Sequence, residues 1–176
     1  TTALQTQLNG LDPGELPWQG FRLLMDHLLP LVPHESCVAV LRGYQGRDHL
    51  LVEPADALPA IEHEIQRRGL ILRRQATAGI ALQQPVQASS GGPVVAMEAL
   101  VPLQVRAPGW AVLLLRRAGG DGFTTEEMSV IGELLRLVQL QVDQAATAVK
   151  LRRSAEIDAL TGTMNRRTLD LWVERS

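Results

Sequence analysis

One cysteine, Cys37, stands in 176 residues, which excludes an intrachain disulfide and any cysteine-rich metal cluster. A reducing cytoplasm is the compartment this usage fits. Lysine is equally scarce: Lys150 is the only one, and the basic side chains are arginines, several in pairs (67/68, 73/74, 116/117, 152/153, 166/167). Such pairs read as solvated faces rather than binding sites. Charge of one sign is also lacking, since 17 basic residues against 19 acidic ones give a net charge of −2. No broad field recommends nucleic acid or an anionic membrane as a partner. No run approaches the roughly 20 apolar residues of a membrane span, because Arg22, Asp26, His27 and Pro30 break the most apolar early segment. No secretory signal is read in this stretch, and no membrane contact is expected of it. The four histidines, His27, His34, His49 and His63, show no metal-ligand spacing, and His49 beside a strand is the one candidate for a ligand or haem contact. Cys37 opens a predicted strand with no histidine beside it, which reads as a buried structural thiol rather than a chromophore attachment point.

The chain does have helix-start chemistry and a long apolar stripe after it. Thr124 followed by Glu127 is a capping box, and Phe123 with Met128 forms a hydrophobic staple around it. From there Ile131, Leu135, Val138, Val142, Ala145 and Val149 recur in alternating steps of four and three, a heptad-like stripe suited to a thin, shifting dimer seam. Leu134, Leu137 and Leu140 widen it, so the first half is expected to pack on its own domain too. A helix from Thr125 to Ile157 would be roughly 50 Å long at about 1.5 Å per residue, longer than a small domain needs.

Upstream, Leu4, Leu8 and Leu11 have helical spacing and read as a preceding helix's tail or an ordered arm, broken at Asp12-Pro13-Gly14. Pro17 and Trp18, Phe21, Leu24, Met25, Leu28 and Leu29 predict an amphipathic helix that Pro30 and Pro33 end. Residues 37–41 and 49–53 read as a hairpin around the turn residues 43–46. Residues 58–68 read as a helix closed by Gly69. Residues 70–72 fit strand or helix, residues 76–82 show no clear period, and residues 89–93 are a loop. Residues 94–105 and 110–116 are the strongest strands, joined by an Arg106-Ala107-Pro108-Gly109 turn, and Val112 to Leu115 suggest a central strand covered on both faces. The expected fold class is α+β, an antiparallel sheet with helices packed mainly on one face and a long C-terminal linker helix.

The run from Ala99 to Leu151, ALVPLQVRAPGWAVLLLRRAGGDGFTTEEMSVIGELLRLVQLQVDQAATAVKL, resembles the C-terminal half of a GAF domain. The resemblance implies a GAF-like sensory domain over residues 16–149, after an arm at 1–15 and before a linker helix at 150–157. A second resemblance follows: Asp158, Leu160, Thr161, Gly162, Asn165, Arg166 and Arg167 match the Asp-x-Leu-Thr-Gly-x-x-Asn-Arg-Arg opening of GGDEF diguanylate cyclase domains. Thr161-Gly162 would provide a turn there, and Arg166 and Arg167 offer fixed forks to a carboxylate. This implies that residues 158–176 are the truncated start of a GGDEF domain, a hinge rather than the GTP site. Gly119-Gly120-Asp121-Gly122-Phe123 looks like the signature GGDEF loop, but it precedes the hinge motif and reads as a glycine-rich exit from a strand.

What the resemblance implies is a regulatory domain of a diguanylate cyclase in cyclic-di-GMP signalling, non-catalytic itself, with GTP and Mg expected only for the missing domain and no cofactor here. A homodimer and an unidentified small-molecule ligand are the expected partners. The ligand pocket has no residues that the sequence identifies. Two other readings are a ligand-free dimerisation scaffold and a redox enzyme of GAF fold, the latter disfavoured by the single cysteine.

Overall fold

Val112 to Leu115 lie in the middle strand of a five-stranded antiparallel sheet and are buried from both sides. The computed structural model describes residues 2–12, 16–44 and 46–175, with side chains described through residue 157 except those of Leu16 and Pro17. Pro13, Gly14 and Gln45, read above as parts of turns, lie outside the described residues.

The strands are β1 (Ser36–Tyr44), β2 (Arg47–Glu53), β3 (Leu82–Gln87), β4 (Val94–Leu103) and β5 (Trp110–Ala118), in the order β2-β1-β5-β4-β3. The helices are α1 (Thr2–Asn9), α2 (Leu16–Leu31), α3 (Leu58–Ala78) and α4 (Thr125–Arg175). The predicted hairpin forms, pairing Cys37 with Glu53 and Leu41 with His49. Side chains alternate across the pleat. On β5, Ala111, Leu113 and Leu115 join one apolar cluster with α1, α2 and α4, while Val112 and Leu114 join a second with α3. The fold class is α+β as expected, with three helices on one face of the sheet and α3 on the other.

Leu4 and Leu8 of α1 are fully buried in the first cluster, so the N-terminal segment is a helix packed on the domain. On α2, Phe21, Leu24, Met25 and Leu28 are buried while Leu29 is exposed. The helix ends at Leu31, between Pro30 and Pro33, with Pro30 in its last turn. Against α2, the α4 stripe is spent early: Ile131, Leu135, Val138 and Val142 are all in the core.

Two expectations are corrected, and one stretch without a reading is resolved. Gly69 does not close α3, which continues to Ala78 and is capped by Gly79 at φ +72°. Gly69 costs about 1 kcal/mol against alanine, and burial of Ile61, Ile65, Leu72 and Ala76 on the sheet outweighs it. Residues 76–82, without a clear sequence period, divide between the end of α3, its Gly79 cap and the first residue of edge strand β3. Pro85 is tolerated there because an edge strand has one unpaired side. The α4 backbone stays helical through Thr161 and Gly162 to Arg175, past residue 157, so the turn expected there does not form. A lone glycine costs a helix about 1 kcal/mol, too little by itself to end it.

Candidate functional site

The face of the sheet under α3 carries a polar cluster set into an apolar floor. Antiparallel register places Gln84 opposite Glu98 and Glu98 opposite Arg116, one row across β3, β4 and β5. From above, Glu64 and Arg68, one turn apart on α3, close over that row. Arg68 forks onto Glu98, with Nη1 donating to Oε1 at 2.9 Å and Nη2 to Oε2 at 2.6 Å. Gln84 Nε2 donates to Oε2 at 2.8 Å and Arg116 Nη2 to Oε1 at 3.2 Å. Arg116 in turn forks onto Glu64, at 2.7 and 3.3 Å.

Glu98 is 2% exposed, the one buried charged residue among those described. Burial alone would raise its carboxyl, but the bonds and charge of Arg68, then Gln84 and Arg116, outweigh that and hold it below the usual carboxylate range. Arg68 and Arg116 are correspondingly raised by their carboxylates against their own burial. Gln75 Nε2 donates to Gln84 Oε1 at 2.9 Å, and its own Oε1 is buried without a partner.

Directly under α3 the free space is only about 10 Å³, room for about one water. Towards β3 the cluster opens into a cleft of about 310 Å³, walled by Ile71, Pro85 and Val86 and floored by the charged groups. A larger open groove of about 540 Å³ lies on the other face, between β4 and α4.

That other face holds the start of α4. The capping box forms: Thr124 N–H donates to Glu127 Oε1 at 3.0 Å and Glu127 N–H to Thr124 Oγ1 at 3.1 Å. Gln83 brackets Phe123, its Nε2 donating to the carbonyl and its Oε1 accepting from the N–H, both at 2.7 Å. Arg117 donates to the Gly122 carbonyl at 2.8 Å, forks onto Glu127, and lies 4.3 Å from the centre of the Phe123 ring. Arg117 holds the Glu127 carboxyl down to about 2. Gly122 has φ +73°, and a Cβ there would meet Gln83 Oε1 at 2.8 Å, so the glycine loop serves this joint.

The sequence-read sites fall in different places. Of the stripe, only Ala145 and Val149 remain partly accessible, the first four being interior. The side chains of Asp158, Leu160, Thr161, Gly162, Asn165, Arg166 and Arg167 lie outside the described residues. Cys37 is fully buried, which pushes its thiol far up and leaves it unsuited to nucleophilic chemistry. His49 stacks on Trp18 with ring centres 4.2 Å apart, and His27 and His34 bond Gln7 and the Val32 carbonyl. Among the described residues no group of histidine, cysteine or carboxylate side chains could hold a metal, and no helix is long and apolar enough to cross a membrane.

The cluster was missed because arginine pairs read as solvated. Arg68 is drawn inward while Arg67 stays exposed, and Arg116 and Arg117 go to opposite faces. The available signal was Glu98 itself, a lone carboxylate inside VVAMEALV, where a buried charge requires partners.

No family model matches the chain, and no curated protein sequence matches it. Among solved structures it is similar to a GAF domain/HD domain protein from Geobacter sulfurreducens, at 18% identity and TM-score 0.54 over 80% of this chain and 98% of that one. It is also similar to the N-acylhomoserine lactone-dependent LuxR-family transcriptional factor CepR2 from Burkholderia cenocepacia, at 17% identity over 88% and 99% of the chains. The second TM-score, 0.44, is too low to carry an argument. The first likeness shows that the fold is GAF-like.

Proposed function

We propose that this chain is the regulatory GAF-type module of a cytoplasmic diguanylate cyclase, non-catalytic itself, which passes a ligand or partner signal through α4 to a GGDEF output domain. The observation that carries this reading is α4. It starts in a tightly held cap, lends four stripe residues to the domain core, and continues as one helix into the segment that resembles the GGDEF opening. A cyclase that joins two GTP molecules from two subunits needs control of proximity and orientation, which a homodimer with paired helices would supply. GTP and Mg belong to the output domain in this reading. The α3 cleft is the ligand site it favours, because it combines an apolar wall with convergent polar groups.

A second reading, a ligand-free dimerisation scaffold, is favoured by one observation: the cleft's charged groups already satisfy one another, and little space remains beneath α3.

Helix phase tests the first reading. Inserting one residue between Ala148 and Val149 turns everything downstream by about 100°, whereas inserting seven restores the heptad phase. Cyclic-di-GMP formation by the full-length protein should change with the first insertion and return with the second. Equal activity in all three proteins would overturn the proposal.

A further inference from the structure

The polar cluster under α3 and the joint that starts α4 are back to back on the same three strands. On β3, Gln84 belongs to the cluster and Gln83 brackets Phe123. On β4, Glu98 belongs to the cluster, and Met97 lies beside Gly122, 3.7 Å from where a Cβ would stand. On β5, Arg116 belongs to the cluster and Arg117 grips Gly122, Phe123 and Glu127. The pleat sends consecutive residues to opposite faces, so each strand presents one group to each site. The register supports this: Gln84, Glu98 and Arg116 stand in one row, and Met97 stands opposite Arg117 in the next.

We propose that these three consecutive pairs are a relay through the sheet: disturbance of the cluster under α3 is transmitted to the cap of α4 by displacement of the strands, with Gln83 and Arg117 as its positioning residues. The inference rests on the regulatory reading above and adds the route. The edge position of β3 is what makes displacement feasible. β3 is six residues long, pairs on one side only, and has Pro85 at its centre, so its position depends heavily on its side chains. Gln84 ties it to Glu98 and Gln75, and Gln83 ties it to the helix start. A shift that lengthens the first set of bonds must also move the amide that brackets Phe123. β5 cannot slide so freely between β1 and β4. There a change in the Arg116 fork would instead act through the backbone it shares with Arg117.

Amide exchange in the 176-residue chain tests this without any ligand. Glu64→Gln weakens the Arg116 fork at a partly exposed position, and Gln84→Ala removes one donor to Glu98. Each should raise exchange of the Phe123, Glu127 and Met128 amides about twofold or more, the low end of coupling between groups in one network. Exchange at the Leu8 amide of α1 should stay unchanged. When Gln83→Ala is already present, or Arg117→Lys in its place, adding the cluster substitution should produce no further increase at those amides. Unchanged exchange at the cap, or increments that simply multiply in the double variants, would overturn the relay. Loss of the relay with a positive helix-phase result would leave the regulatory reading standing with another route. The reverse pattern would leave a sheet coupling that serves no output helix.

Discussion

The Tyr44 hydroxyl donates to Asp143 Oδ1 at 3.1 Å, joining residues 99 apart in sequence where α4 leaves the domain. Val142, one residue earlier, is the last stripe position that is buried. Tyr44 itself is buried edge-on against Phe21, so its hydroxyl is delivered from a fixed ring. Tyr44→Phe keeps the ring and removes one hydrogen bond. The expected loss is about 1 kcal/mol, read as a lower urea midpoint at unchanged slope, with faster amide exchange after Asp143.

Glu98 gives a larger and more selective effect. Glu98→Leu should destabilise the chain by about 3–5 kcal/mol, because two guanidiniums would be left with too few carboxylates in a mostly buried setting. Adding Glu64→Leu, Arg68→Met and Arg116→Met should restore most of that stability, since apolar replacement of a whole buried ionic set is often neutral. Urea melts of the single and quadruple variants check both halves.

Acid should weaken the fold through carboxylates. Glu127, held at about 2 chiefly by its bonds with Arg117, and Glu98, also held low, are both depressed below their ordinary range. A depressed carboxyl contributes stability that is present above its unfolded value and lost as pH falls towards its folded value. Stability should therefore begin to fall below about pH 6.5, where His34 and His49, both lowered by burial in the fold, take up a proton more readily unfolded, and fall further from about pH 4.5 towards pH 2 as the carboxylates protonate. Glu127→Gln should start lower at pH 7 and fall less steeply, measured by urea melts at several pH values.

Two glycines of α3 should respond in opposite directions. Gly69 has helical backbone, and a Cβ there would meet nothing within 4 Å, so Gly69→Ala should stabilise by up to about 1 kcal/mol. Gly79 caps the same helix at φ +72°, so Gly79→Ala should destabilise by about 1–2 kcal/mol. Thermal melts of the two variants should move to opposite sides of the parent.

Much of the fold was legible because its signals are local. Thr124 and Glu127 announce their cap, Val112 to Leu115 announce a central strand, and Cys37 to Glu53 announce a hairpin. Gly69 misled because a helix end and a tolerated interior glycine look alike until the sheet beneath is known. The β3 strand escaped because LQQPVQ is polar, contains proline, and owes its conformation to pairing with β4. The candidate cluster was least legible of all. Its members come from residues 64, 68, 84, 98 and 116, and only the strand register and the placement of α3 bring them together.

The length of α4 has a mechanical consequence. The segment beyond Asp143 spans about 48 Å at about 1.5 Å per residue, and the Tyr44 contact stands at its near end as a fulcrum. A tilt of roughly 10° there would carry the far end through about 8 Å. Changes at the sheet too small to open a cavity would then become displacements as large as the spacing between packed helices.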